Sequence, residues 1–220
     1  MSDRYKATEE KKQKPAGPVI TISRQYGCPA KKVAQKLVDI LNLDNAPPPA
    51  WNWISKEILN EAAKELNVDP DRIKYVFDYE ERNMADDILA SMTHKYYKSD
   101  KKIRAVISKV IRSIAEEGHV VIVGRGGIAI TRDIPASFHV NLEAPLEWRA
   151  LRASSKHNIS VEQAKKCAID IDEKRQQFRD SFEGKDTDYT HFDLIFNCMT
   201  HSIDEIAETI AYAIKKRKLL

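Results

Sequence analysis

The residues best suited to chemistry lie in two glycine-containing turns. The first, Ser23-Arg24-Gln25-Tyr26-Gly27-Cys28-Pro29-Ala30-Lys31-Lys32, follows a short β-branched run, ITI, and leads into a segment of helical spacing. A strand, a turn and a helix start in that order gather backbone N–H groups and the positive end of a helix dipole, which suits an anion. With Arg24, Lys31 and Lys32 in the same turn, phosphate is the expected ligand, because its charge is spread over several oxygens and must be met from several directions. The full phosphate-loop pattern GxxxxGK[ST] occurs nowhere in the chain, and the same residues also read as a plain strand-to-helix turn with surface lysines. The second turn, Gly124-Arg125-Gly126-Gly127, sets a guanidinium directly after the apolar run VVIV, between residues that allow close backbone approach. An arginine so placed suits bidentate capture of a phosphate or carboxylate; the plain alternative is a turn with its arginine in solvent.

Other reactive side chains say less. Arg149, Arg152, Lys156, Lys174, Arg175 and Arg179 fall around one long helical stretch, where they either close over a polyphosphate or form an ordinary solvated face. Six histidines show no spacing suggestive of a metal site or a nucleophilic triad. Cys28 stands at the expected helix start, a position that lowers a thiol pKa, but has no base beside it in sequence. With Cys167 and Cys198 it makes three scattered cysteines, too few for a disulfide framework and without zinc spacing, so a reducing compartment is expected.

Strands and helices must position these turns. Residues 19–23, 119–123, 138–142 and 193–197 read as buried strands, with a further short one at 51–54. Helical spacing runs from residue 30 to about 42, over 56–66, from about 103 to Gly118, from Pro145 to about 155, after a Ser160 cap, and from about 203 to 214. Asp69-Pro70 marks another helix start and residues 80–97 look helical, so 55–98 reads as a helical insertion, with Tyr75, Phe77, Tyr79, Tyr96 and Tyr97 packing it or lining a cleft. Strands that are continuous apolar runs, alternating with helices, predict a parallel sheet covered on both faces, whose ligands sit at the carboxyl ends of the strands. Both glycine turns would then meet on one edge of the sheet.

Composition narrows the class. The chain has 220 residues, 42% hydrophobic and 31% charged, enough for one α/β domain preceded by a polar tail over residues 1–17. No apolar run reaches the roughly 18 residues that span a bilayer, and the first residues lack a signal-peptide core, so a cytoplasmic protein without membrane partners is expected. A net charge of +3 with interleaved signs gives no support for nucleic-acid binding.

Six segments in order carry a resemblance: ITISRQYG, WISKEILNEAAKEL, VVIVGRGG, FHVNLEAPLEWRALR, NISVEQAKKCAIDIDEKRQQF and FDLIFNCMTHSIDEIAETI. They resemble the cytidylate kinase-like family of P-loop nucleoside monophosphate kinases, from residue 18 to 214. The resemblance implies a three-layer α/β/α P-loop NTPase fold with a parallel sheet, a helical acceptor lobe at 55–98 and a helical lid at about 152–182. It also implies transfer of the ATP γ-phosphoryl group, with Mg²⁺, to a nucleoside monophosphate, typically CMP or dCMP. By position, Ser23, Arg24, Gln25, Tyr26, Gly27, Cys28, Lys31 and Lys32 would hold the donor phosphates. Ser55, Arg125 and Gly126 would face the acceptor, Arg149, Arg152, Arg175 and Arg179 would belong to the lid, and Lys31, Lys32, Arg125 and Arg175 would be catalytic. No metal ligand is assigned to the chain itself. The first turn departs from the family's glycine-rich GSGGRE at Pro29 and Ala30; Ser55 replaces a usual aspartate, and Gly126 stands where cytidylate kinases read GRD. A nucleotide-binding protein without catalysis, and a kinase for another small phosphate acceptor, are the alternative readings.

Overall fold

The computed structural model describes residues 17–44, 49–55, 57–67, 97–183 and 189–219. In chain order it contains β1 (Val19–Arg24), α1 (Ala30–Asp44), β2 (Asn52–Ile54), α2 (Glu57–Leu66), α3 (Tyr97–Glu117), β3 (Val120–Val123) and α4 (Gly127–Thr131). Then follow β4 (Ser137–Glu143), α5 (Leu146–His157), α6 (Val161–Glu183), a single 3₁₀ turn (Tyr189–His191), β5 (Leu194–Asn197) and α7 (Ile203–Lys216). All strand pairs are parallel, in the order β2-β3-β1-β4-β5. The predicted helices around Asp69-Pro70 and over 80–96, with their aromatics, lie outside the described residues; Tyr97 opens α3.

Both faces of the sheet are covered, which is why its strands read as unbroken apolar runs. Ile20, Ile22, Val121, Val123, Phe138, Val140 and Leu142 face α1 and α7, packing on Leu37, Leu41, Ile206 and Ile210. Val19, Val120 and Ile122 face the other way, onto Ile58 of α2, Ile107 and Ile111 of α3 and Ile130 of α4. These are the three layers that the continuous strands and the resemblance imply. Among the described residues no helix is long and apolar enough to cross a membrane.

Two details differ from expectation. His119 does not open β3: after Gly118 (φ 81) it also takes a left-handed φ of 53, and pairing starts at Val120. Gly118 also packs on Gly17, where a Cβ on either would come within 3 Å of the other's backbone. The second glycine turn also runs into a short helix, α4, that the spacing did not reveal. Its first residue, Gly127, lies close over the strands: a side chain there would press on Ile122 and Thr21.

Candidate functional site

Because β1, β3 and β4 run in register, their exits lie side by side. The Gly124 amide donates to the Ile22 carbonyl (3.0 Å) and the Gln25 amide to Leu142 (2.9 Å), so both glycine turns sit at the carboxyl edge. The first turn is tightly built. Gln25 accepts from the Ala144 amide through its side chain (3.1 Å), and the Cys28 amide returns to the Gln25 carbonyl (3.3 Å). Gly27 has φ 88, and a Cβ there would stand 2.9 Å from the Arg149 carbonyl, so only glycine lets the turn lie against α5. Pro29 precedes α1 and its carbonyl accepts the first helical bond, from Val33 (3.1 Å), so it stands at the N-cap, where its missing N–H interrupts no intrahelical bond. The amides of Lys31 and Lys32 lie in the first helical turn, where no intrahelical carbonyl can reach them.

Arg149 is not on an open lid surface. It is 6% exposed, and its Nε donates to the Ala144 carbonyl (2.8 Å). Its Nη1 donates to the Tyr26 carbonyl (3.1 Å) and to Asp172 (2.6 Å). Asp172, on α6, also accepts the Tyr26 amide (2.6 Å) and lies 3.6 Å from Arg175, whose Nη1 donates to the Arg24 carbonyl (3.2 Å). One carboxylate thus ties the turn, α5 and α6 together. Sequence reading missed Asp172; the signal available was the i, i+3 pair Asp172-x-x-Arg175 on one helix face.

The second turn holds three successive left-handed residues: Gly124 (φ 71), Arg125 (φ 59) and Gly126 (φ 70). A non-glycine residue in that region costs about 1 kcal/mol or more and tends to mark a functional position. Arg125 donates to the Ser55 carbonyl (3.3 Å), and Ser55 itself is buried. A Cβ on Gly126 would stand 3.2 Å from both Phe178 and Phe182, so α6 rests its aromatic face on this turn. Glu57 sits beside the turn. Burial pushes its carboxyl up, but the Ser55 amide, its own amide, and the charges of Lys31 and Arg125 outweigh that and hold it below the usual carboxylate range. Lys31, Arg125 and Glu57 are therefore electrostatic neighbours, another grouping the sequence does not announce.

Cys28 behaves opposite to expectation. Its thiol hydrogen-bonds to that of Cys198, beyond β5, and this bond with burial pushes its pKa up rather than down, while Cys198 is lowered. A raised thiol pKa keeps the side chain protonated and removes the thiolate character that a helix start would favour.

Between the first turn and α5 opens a cleft of about 940 Å³, bordered by Arg24, Lys31, Lys32, Trp148, Arg152 and Arg175. The volume is of nucleotide size. The Arg152 guanidinium lies 4.6 Å over the Trp148 ring, and Tyr26 stacks on His157 (6.4 Å between centroids), so the cationic lining of the cleft meets an aromatic wall. A smaller hollow of about 170 Å³ opens on the other side of Arg24, bordered by Asn141, Glu143, Arg175, Arg179 and Tyr189. The structure thus brings residues 23–32, Ser55, Arg125, Gly126 and Arg175 to one edge, with Arg152 across the cleft. Arg149 lies beneath the turn, and Arg179 borders the smaller hollow.

A five-stranded parallel sheet ordered 2-3-1-4-5, with an anion-suited turn after its central strand, defines an α/β fold of the P-loop kinase class. The chain belongs to the cytidylate kinase-like family, whose profile it matches over residues 19–200. An uncharacterized protein from Eubacterium ventriosum has a similar structure, with TM-score 0.65, 20% identity, and coverage of 91% of this chain and 99% of that one. Shikimate kinase from Bacteroides thetaiotaomicron is also similar, with TM-score 0.53, 12% identity, and coverage of 90% and 98%. No curated protein matches the chain in sequence. Family membership supports phosphoryl transfer as the class of chemistry.

Proposed function

We propose that the protein transfers the γ-phosphoryl group of ATP to a nucleoside monophosphate, with CMP and dCMP the first acceptors to test. The observation that carries this is the meeting of Arg24, Lys31, Arg125 and Arg175 around the exits of β1 and β3, between a nucleotide-sized cleft and a strained GRGG turn. Phosphoryl transfer asks for little covalent help. It needs aligned reactants, neutralised charge and exclusion of water. In this arrangement the cleft holds the donor against the first turn, Arg125 orients the acceptor phosphate, and α6 covers the seam. Mg²⁺ would travel with the donor phosphates and neutralise them; such ions need only one or two protein oxygens besides phosphate and water.

The test is to incubate the protein with MgATP and a panel of nucleoside monophosphates and to measure ADP. ADP should form only with an acceptor present, and Arg125→Ala should lower kcat/KM for that acceptor by roughly two orders of magnitude. No product with any monophosphate would defeat the proposal. One feature favours a second reading: Pro29 brings no amide to a turn in which the family usually has glycine. A binding protein of this kind would gain thermal stability from nucleotide by mass action and yield no ADP.

A further inference from the structure

Arg24 ends β1, at the point where the strand hands over to the turn. Its guanidinium does not stay above its own strand. It lies across the exit of β3, so that a Cβ on Gly124 would stand 1.9 Å from Nη1 and 3.0 Å from Cζ. The missing side chain at Gly124 is the space that Arg24 fills. From above, Arg175 donates to the Arg24 carbonyl and fixes the residue beneath α6. Arg24 and Arg175 also border both the large cleft and the smaller hollow, whereas Lys31 and Lys32 border the large one alone.

The next residue after Gly124 is Arg125, whose Nε donates to the Ser55 carbonyl beyond β2, so cationic side chains from β1, the β3 turn and the overlying α6 stand along neighbouring strand exits. A multiply charged anion lying across these exits would meet several cationic groups from different directions. In phosphoryl transfer charge is spread over the three equatorial oxygens of the moving group, midway between donor and acceptor. A cation set at the seam stabilises that stage more than it stabilises bound ADP.

We infer that Arg24 contacts the phosphoryl group in flight, and that Gly124 is a positioning residue whose lack of a side chain admits the Arg24 guanidinium. The inference rests on the ATP-kinase reading above. It gives this chain a transition-state cation from the strand end rather than from the first turn of α1, where Pro29 and Ala30 depart from the family's pattern.

Calorimetric binding of ATP, ADP and AMP, with and without Mg²⁺, separates the two levels, with turnover measured on the same samples. Arg24→Ala should leave ADP and AMP affinity within about twofold, remove most of any preference for ATP over ADP, and lower kcat by roughly a thousandfold. Arg24→Lys should restore part of the rate. Gly124→Ala should reproduce the Arg24→Ala pattern while Arg24 itself is retained; Arg24→Gln, close in size, serves if the alanine variant fails to fold. A wild-type protein that binds ATP while Arg24→Ala and Arg24→Gln keep its ATP preference and any turnover overturns the role of Arg24 alone. An equal loss of ADP and ATP affinity in both would make Arg24 an ordinary donor-loop contact and also overturn it. A wild-type protein that does not bind ATP overturns the kinase reading and this inference together.

Discussion

Arg149 carries a positive charge where water scarcely reaches, and its three acceptors come from three different segments. Removing one partner of a buried ion pair leaves the other charge without compensation, which commonly costs about 3 kcal/mol or more. Arg149→Ala should therefore lower unfolding free energy by about that amount in urea titration, with a loss below 1 kcal/mol showing that the network is dispensable. From sequence, Arg149 was one cation among several on a helix. Its burial depends on Tyr26, 123 positions away, and Asp172, 23 positions away, and no local pattern encodes either distance. The same holds for Cys28 and Cys198. By contrast, the glycines of the two turns and Arg125 were legible, because conformational freedom beside a cation is a local signal.

Elements were more readable than contacts. The α5–α6 hairpin turns on Asn158 (φ 53), and α6 opens with a reciprocal cap in which the Gln163 amide donates to Ser160 Oγ (3.2 Å) and the Ser160 amide donates to Gln163 Oε1 (3.0 Å). The Ser160-x-x-Gln163 spacing states this in advance. Ser160→Ala should cost about 1 kcal/mol, read as a fall in melting temperature, since it removes the hydroxyl that accepts an otherwise orphan amide. Ala164, Ala168 and Ile171 are buried on α6 while Cys167 is half-buried, and the small side chains of Ala150, Ala153 and Ala164 let α5 and α6 approach closely. α4 has no such capping signal, since it is five residues long and its N-cap, Gly126, makes no side-chain cap bond.

For the molecule as a whole, acid stability should follow His139. This residue is buried on β4 with Nδ1 2.7 Å from Thr21 Oγ1, and burial holds its pKa at about 4, against a pull from Asp193 that would raise it. The unfolded chain protonates histidine near pH 6.5, the folded one only near 4, so stability from this group is whole above 6.5 and falls as pH drops between those values. The loss approaches about 3 kcal/mol at the acid end. Denaturation curves at pH 7 and 4.5 should differ accordingly, and His139→Asn should flatten the difference; an unchanged slope in that variant would reject the assignment. Fold class was plain from the continuous apolar strands, since burial on both faces is a property of every residue in them.

Gly17 and Gly118 touch at the edge of the sheet where the strands begin, and Arg217, past α7, comes back to the same edge to pair with Asp193 and cover Phe138. The cleft and both glycine turns open on the opposite edge. A bead, sensor surface or partner attached at the edge that carries Gly17 and Arg217 would therefore leave the candidate site facing bulk solvent, and the protein can be immobilised there for ligand measurements without masking what is measured.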